Sequence, residues 1–232
     1  MPRRQKSAQV AKLIATATRL FIDKGYRRTQ MADVTEAMGW TPGAVYRYVE
    51  SKEALFDLIA RAGAAPERSF DDLKLPVPTP QPGATLRFLR ETLQREGRIQ
   101  SLESALARES VDNPRQELEG IIRELYSRLA QYQSGIKLLD RSALDWPQLA
   151  ELWSGQLRAG LVEQLAAFLQ KRMDRGLLRS IASPRAAARL MIEAVAFFAM
   201  HRHYDPSPTP MDDKTAEDTV VETLVHAYAK ET

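Results

Sequence analysis

Apolar residues recur at three- and four-residue intervals along almost the whole chain. Val10, Leu13, Ile14, Ala17, Leu20 and Phe21 make one stripe, which predicts a helix from Ser7 to Lys24 stopped by Gly25. Val34, Ala37 and Met38 predict a short second helix over Met31 to Met38. Thr29 or Gln30 is its cap, and Asp33 in the first turn suits the positive helix end. Gly39 makes a turn. Thr41-Pro42 then reads as a hydroxyl cap followed by a proline in the first helical position, so a third helix is expected to run to about Val49. Ser51 caps a fourth, with Leu55, Phe56, Leu58 and Ile59 as its apolar face.

Proline then interrupts the pattern. The run LPVPTPQPG, with Pro76, Pro78, Pro80 and Pro82 at every second position, cannot be helical and predicts an extended segment. From Ala84 onward the pattern is helical again. Leu86, Leu89 and Leu93 begin one helix, and Asn113-Pro114 opens a second with Leu118, Ile121, Ile122, Leu125, Leu129 and Tyr132. Trp146-Pro147 opens a long third, which closes in KRMDRG, a basic last turn followed by glycine. Ser183-Pro184 begins another, and the last carries Val220, Val221, Leu224, Val225 and Tyr228. No segment alternates with period two. The expected class is all-α, with nine or ten helices. The divisions are an N-terminal domain (1–62), a proline-rich connection (63–83) and a larger helical domain (84–232).

Charge sharpens this division. Residues 1–62 hold 11 Lys/Arg against 6 Asp/Glu, whereas the remainder hold 22 against 24. The basic excess favours a nucleic-acid surface at the N-terminal end. There are no cysteines, so disulfides and thiolate metal sites are excluded. That absence agrees with a cytoplasmic setting. The N-terminus has no uninterrupted apolar core of signal-peptide type, since Lys12, Thr16, Thr18 and Arg19 break it. The longest apolar stretch, Ala194 to Met200, is far short of the roughly 20 residues that span a bilayer.

The second and third helices, joined through Gly39, read as a helix-turn-helix. Thr41, Pro42, Gly43 and Ala44 are small, which permits close approach to a groove. Ala44 or the Thr41 methyl suits a thymine methyl, and Arg47 suits either a guanine edge or a phosphate. The hydroxyls of Tyr46 and Tyr48, and the ammonium of Lys52, suit phosphate oxygens. Arg27, Arg28 and Thr29 precede the helix that crosses the backbone, and Arg3, Arg4 and Lys6 form a basic arm. Trp40 is expected to be buried, because large aromatics bury extensively.

On these residues the segment from Lys12 to Ile59 resembles the DNA-binding domain of the tetracycline-repressor (TetR) family. Leu20-Phe21, Gly25-Tyr26, Thr29, Val34, Gly39, Thr41, Gly43, Tyr46, Ser51-Lys52-Glu53 and Leu55 stand at that family's spacing. Gln30, Thr35, Trp40 and Val49 depart from it. The resemblance implies a homodimer joined through Pro184–His203 and Thr215–Lys230, where Val195, Ala196 and Ala199 lie off the main stripe. It implies a palindromic double-stranded DNA operator, and a small-molecule effector that changes the spacing of the two reading heads. The fourth helix is then the lever. A repressor is expected, and an activator of the same fold reads identically in sequence.

For the effector pocket the candidates are Tyr126, Arg128, Tyr132, Trp146 and Trp153. No cofactor is expected. His201 and His203 stand without other His or Cys nearby, so no metal site is expected either. No Gly-rich phosphate loop, nucleophile elbow or metal-spaced cluster supports an enzyme.

Overall fold

The apolar stripes become helices in a computed structural model of the chain, which describes residues 3–65, 70 and 72–230. Pro66, in the expected connection, lies outside the described residues, as do the side chains of Arg3 and Arg4. The helices are α1 (Arg3–Lys24), α2 (Met31–Ala37), α3 (Lys52–Ala64), α4 (Ala84–Glu96), α5 (Gln100–Ala107), α6 (Pro114–Gln131) and α7 (Gln133–Ala143). They are followed by α8 (Pro147–Ala150), α9 (Ala159–Asp174), α10 (Pro184–Ala199) and α11 (Asp213–Tyr228). A π-helical stretch, Glu151–Arg158, makes α8 and α9 one continuous helix. The fold is all-α, and among the described residues there is no strand, only two isolated bridges. No described helix is long and apolar enough to cross a membrane.

The cap signals worked where they were strong. Ser51, Asn113 and Ser183 each accept the backbone N–H three residues on, opening α3, α6 and α10. The helices α5 and α7 have no such signal; each begins at a glutamine, and α7 carries Gly135 in its first turn.

The chain forms two compact units, and neither follows the division expected at the proline run. The first is Met1–Arg95 with Ser134–Gly155; the second is Glu96–Gln133 with Gln156–Thr232. Three physical ties bring the later segments into the first unit. A Cβ on Gly135 would lie 2.8 Å from the Gly63 carbonyl oxygen, so only paired glycines let α3 and α7 approach this closely. The Thr85 hydroxyl donates to the buried Asp57 at 2.9 Å, and Asp57 also pairs with Arg61 at 2.7 Å. Trp146 packs 5.7 Å from both Tyr26 and Phe56.

The proline segment is extended, as expected, but it is not a free connection. The Val77 N–H donates to Tyr48 O at 2.8 Å, and Val77 O accepts from Glu50 N at 3.0 Å. The Thr79 N–H donates to Glu50 Oε2 at 2.9 Å, and its hydroxyl donates to Ser51 Oγ at 2.9 Å. This strap lies along the junction between the third helical element and α3.

In the second unit α10 packs on α6, α9 and α11. Leu118, Ile122, Leu125, Phe168, Leu169, Met191, Val195 and Val221 are among its buried core. One expectation is corrected here. Val195, Ala196 and Ala199 are buried within their own chain and need no partner; the outward apolar residues of α10 are Leu190, 60% exposed, and Phe197, 43% exposed. Arg172 stands in the basic last turn of α9, as expected, but it is fully buried. It forms a forked ion pair with Glu117 at 2.7 and 2.9 Å and donates to Ala105 O at 2.8 Å.

Candidate nucleic-acid interface

The element after Gly39 is not the helix that Thr41-Pro42 suggested. Ala44 N–H donates to Thr41 O at 3.0 Å, and Gly43 between them has φ 79° and ψ −8°. Proline at the second position and a left-handed glycine at the third define a type II turn. The backbone cannot enter a helix through that glycine conformation. A single 3₁₀ turn, Ala44–Arg47, follows instead. Its inner side is Ala44, Val45 and, just beyond, Val49, all buried. Ala44 is therefore not offered to a groove, contrary to expectation. Thr41, Pro42, Gly43, Tyr46 and Arg47 are exposed.

Tyr48 is half-buried and stacks on Trp40, with ring centroids 4.7 Å apart and planes 15° from parallel. Trp40 is thus partly exposed and props a tyrosine beside the turn, rather than filling the core. The stack was not legible, because the two rings lie eight positions apart across an irregular turn.

The residues after Gly25 divide in the same way. Arg27 and Arg28 are exposed; the Arg27 N–H donates to Asp145 Oδ2 at 3.1 Å, and the Arg28 Nε–H caps Lys24 O at 2.8 Å. Thr29 is buried, and its hydroxyl donates to Gly25 O at 2.8 Å, so it locks the turn and presents nothing outward. Gln30 caps α2, and its N–H donates to Asp33 Oδ2 at 2.8 Å. Lys24, 2.9 Å from Asp33, and then this N–H hold the Asp33 carboxyl below the ordinary carboxylate range.

Lys52 is half-buried. Its ammonium donates to Arg27 O at 3.2 Å and sits 4.7 Å from the centre of the Tyr26 ring. Burial lowers its pKa below the usual lysine value. Its position joins the start of α3 to the Arg27 turn, with the remaining ammonium donors still available. Lys6, on α1, donates to Leu73 O at 3.2 Å.

The five pocket candidates do not gather in one unit. Tyr126 is buried in the second unit, and its hydroxyl donates to Asp213 O at 3.2 Å. Arg128 and Tyr132, in the same unit, both reach Glu96, at 3.7 and 3.5 Å. Trp146 and Trp153 belong to the first unit, where the Trp153 Nε1–H donates to Asp140 at 2.6 Å. Among the described residues no group of three His, Asp or Glu side chains could hold a metal ion.

Two family profiles match the chain. The one described as bacterial regulatory proteins, tetR family, matches residues 13–59. The one described as AefR-like transcriptional repressor, C-terminal domain, matches residues 139–230. Similar solved structures include the ketosteroid transcriptional regulator KstR2 of Mycobacterium tuberculosis, 15% identical over 95% of each chain with a TM-score of 0.59. SCO3833 of Streptomyces coelicolor A3, a member of the TetR transcriptional regulator family, is 20% identical over 92% of this chain and 87% of its own, with a TM-score of 0.52. AibR, solved with isovaleryl coenzyme A and operator DNA, is 19% identical over 94% of this chain and 98% of its own, with a TM-score of 0.51. The comparison with curated proteins finds no match.

Proposed function

This chain belongs to the tetracycline-repressor family of bacterial transcriptional regulators, and from that premise we propose that it is a homodimeric repressor released from a palindromic operator by a small molecule. The observation that carries the DNA reading is the 3₁₀ turn with one buried side and one outward side. Tyr46 is 50% exposed and Arg47 stands beside it, while Ala44 and Val45 anchor the turn from within. The outward arginine suits a guanine edge, and Tyr46, Tyr48, Arg27, Arg28 and Lys52 suit phosphates. The small Thr41-Pro42-Gly43 corner lets the backbone come close.

Dimerisation is supported by α10. Leu190 and Phe197 lie seven residues apart on one helical face, and both large apolar side chains face solvent in a single copy. One reading turn alone contacts too few bases for specific binding, which a twofold dimer doubles. Changing Leu190 and Phe197 together to glutamate is expected to halve the mass seen by sedimentation at micromolar concentration. An unchanged mass would exclude this face.

The fold accommodates both partners in AibR, whose solved complex holds isovaleryl coenzyme A and operator DNA together. Release follows if the effector binds better to a dimer whose reading turns are spaced differently, and only by that difference in affinity. The operator reading is tested by selecting binding sites from a randomised DNA library. Arg47→Ala is expected to flatten the preference at one base pair per half-site, a loss of about 1–3 kcal/mol of discrimination. An identical selected profile would assign Arg47 to phosphate.

A further inference from the structure

The first unit contains a cleft of about 370 Å³, within the size range of small-molecule sites. Its walls come from four segments of the chain: Tyr26 and Arg27 after α1, Glu53 and Phe56 of α3, the strap Pro80 to Gly83 with the start of α4, and Asp145 to Pro147 at the opening of α8. Tyr26 and Phe56 meet edge to face at 5.1 Å, and Trp146 is 5.7 Å from each, so three rings are held in one cluster. Two carboxylates, Glu53 and Asp145, and one cation, Arg27, line the cleft, with the Lys52 ammonium beside them at the Tyr26 ring.

The nearby charges are committed unequally. Asp145 accepts the Arg27 N–H at 3.1 Å. Glu53 is held by the Tyr26 hydroxyl at 3.5 Å, a long bond that leaves most of its acceptor capacity open. The Lys52 ammonium rests 4.7 Å from the Tyr26 ring centre, so that ring is already served by a cation of the chain, and a ligand's charge is left to Trp146 and Glu53. Rings carry negative charge on their faces, and beside a carboxylate they favour a poorly hydrated ammonium over a neutral or anionic group of the same shape.

We propose that this cleft is a binding site for an organic cation, a quaternary or alkylated ammonium carried on an apolar body. The apolar body rests on Trp146 and the proline strap, and the charge lies toward Glu53. The site belongs to the DNA-binding unit itself, and its occupancy does not depend on the operator reading above.

The test uses the full chain without DNA. Benzyltrimethylammonium is titrated by calorimetry, with Trp146 fluorescence as a second signal read against a Trp146→Phe control. Its neutral carbon isostere, neopentylbenzene, and the anion benzylsulfonate are titrated alongside. The cation is expected to bind at least tenfold more tightly than either. Glu53→Gln is expected to weaken cation binding by fivefold or more while leaving the circular dichroism unchanged. Equal affinity for the three probes would overturn the proposal, as would cation binding that Glu53→Gln leaves intact. Because operator binding is measured separately, a failure here leaves the DNA reading standing, and the reverse holds too.

Discussion

Glu117→Ala is expected to be the most destabilising single change in the second unit. Glu117 and Arg172 are 5% and 0% exposed, and their fork places both carboxylate oxygens on the guanidinium. Truncating the acid leaves a buried arginine with Ala105 O as its remaining acceptor, and its NH1 already has no partner among the described residues. Removing one member of a buried pair costs about 3–5 kcal/mol, because the other charge stays desolvated. At about 2–4 °C per kcal/mol for a protein of this size, the melting temperature falls by roughly 6–20 °C. The double change Glu117→Leu with Arg172→Met removes both charges, so it is expected to recover most of the loss. Differential scanning calorimetry of the three proteins decides the matter. If the single variant melts with wild type, water or a rearranged neighbour satisfies Arg172, and the buried pair is not what holds this unit together.

The second large effect is expected at Gly25. Its φ of 85° is a conformation that a side chain disfavours, and a Cβ there would sit 2.6 Å from Asp145 Oδ2. The left-handed backbone costs about 1–2 kcal/mol. Asp145 can retreat only by giving up the Arg27 N–H, a bond to a charged acceptor worth about 1.5–3 kcal/mol. Gly25→Ala is therefore expected to lose about 2.5–5 kcal/mol in urea unfolding, the sum of those two effects. Gly43 supplies the comparison, since its φ is 79° but nothing lies within 4 Å of a Cβ. Gly43→Ala should show the backbone cost alone. In the Asp145→Ala background, Gly25→Ala should fall toward that value but stay above it, because the Arg141 guanidinium carbon also lies 3.1 Å from the same Cβ. Equal losses for the two glycines in the wild-type background would mean that Asp145 moves freely.

Helix existence was legible because apolar spacing is a local property. Val10, Leu13, Ala17 and Phe21 repeat within one element, and all four are buried. The failures share a different cause. Arg172 carries a charge at the expected end of a helix, and only the fold shows that Glu117 meets it from α6. Val195 looked unpartnered because its partners come from elements that periodicity does not place. The type II turn is an exception, since Pro42-Gly43 stands in the sequence, where Thr41-Pro42 equally suits a helix start. Within the candidate interface, residue type identified Tyr46 and Arg47, whereas burial removed Ala44 and Thr29. Hydrogen bonding gave Lys52 a structural role as well.

The alternating prolines of the strap have a consequence for how copies of this protein coexist at high concentration. In extended backbone, N–H groups point alternately to opposite edges. Val77 and Thr79 spend theirs inward, on Tyr48 O and Glu50 Oε2. The intervening positions, Pro76, Pro78 and Pro80, have no N–H at all. The outer edge can accept hydrogen bonds but cannot donate any, so an incoming strand finds half of its ladder missing. A segment that is extended, exposed and flat would otherwise be a template for chain-to-chain pairing. Here the residue that forces extension also makes the edge sterile toward another chain.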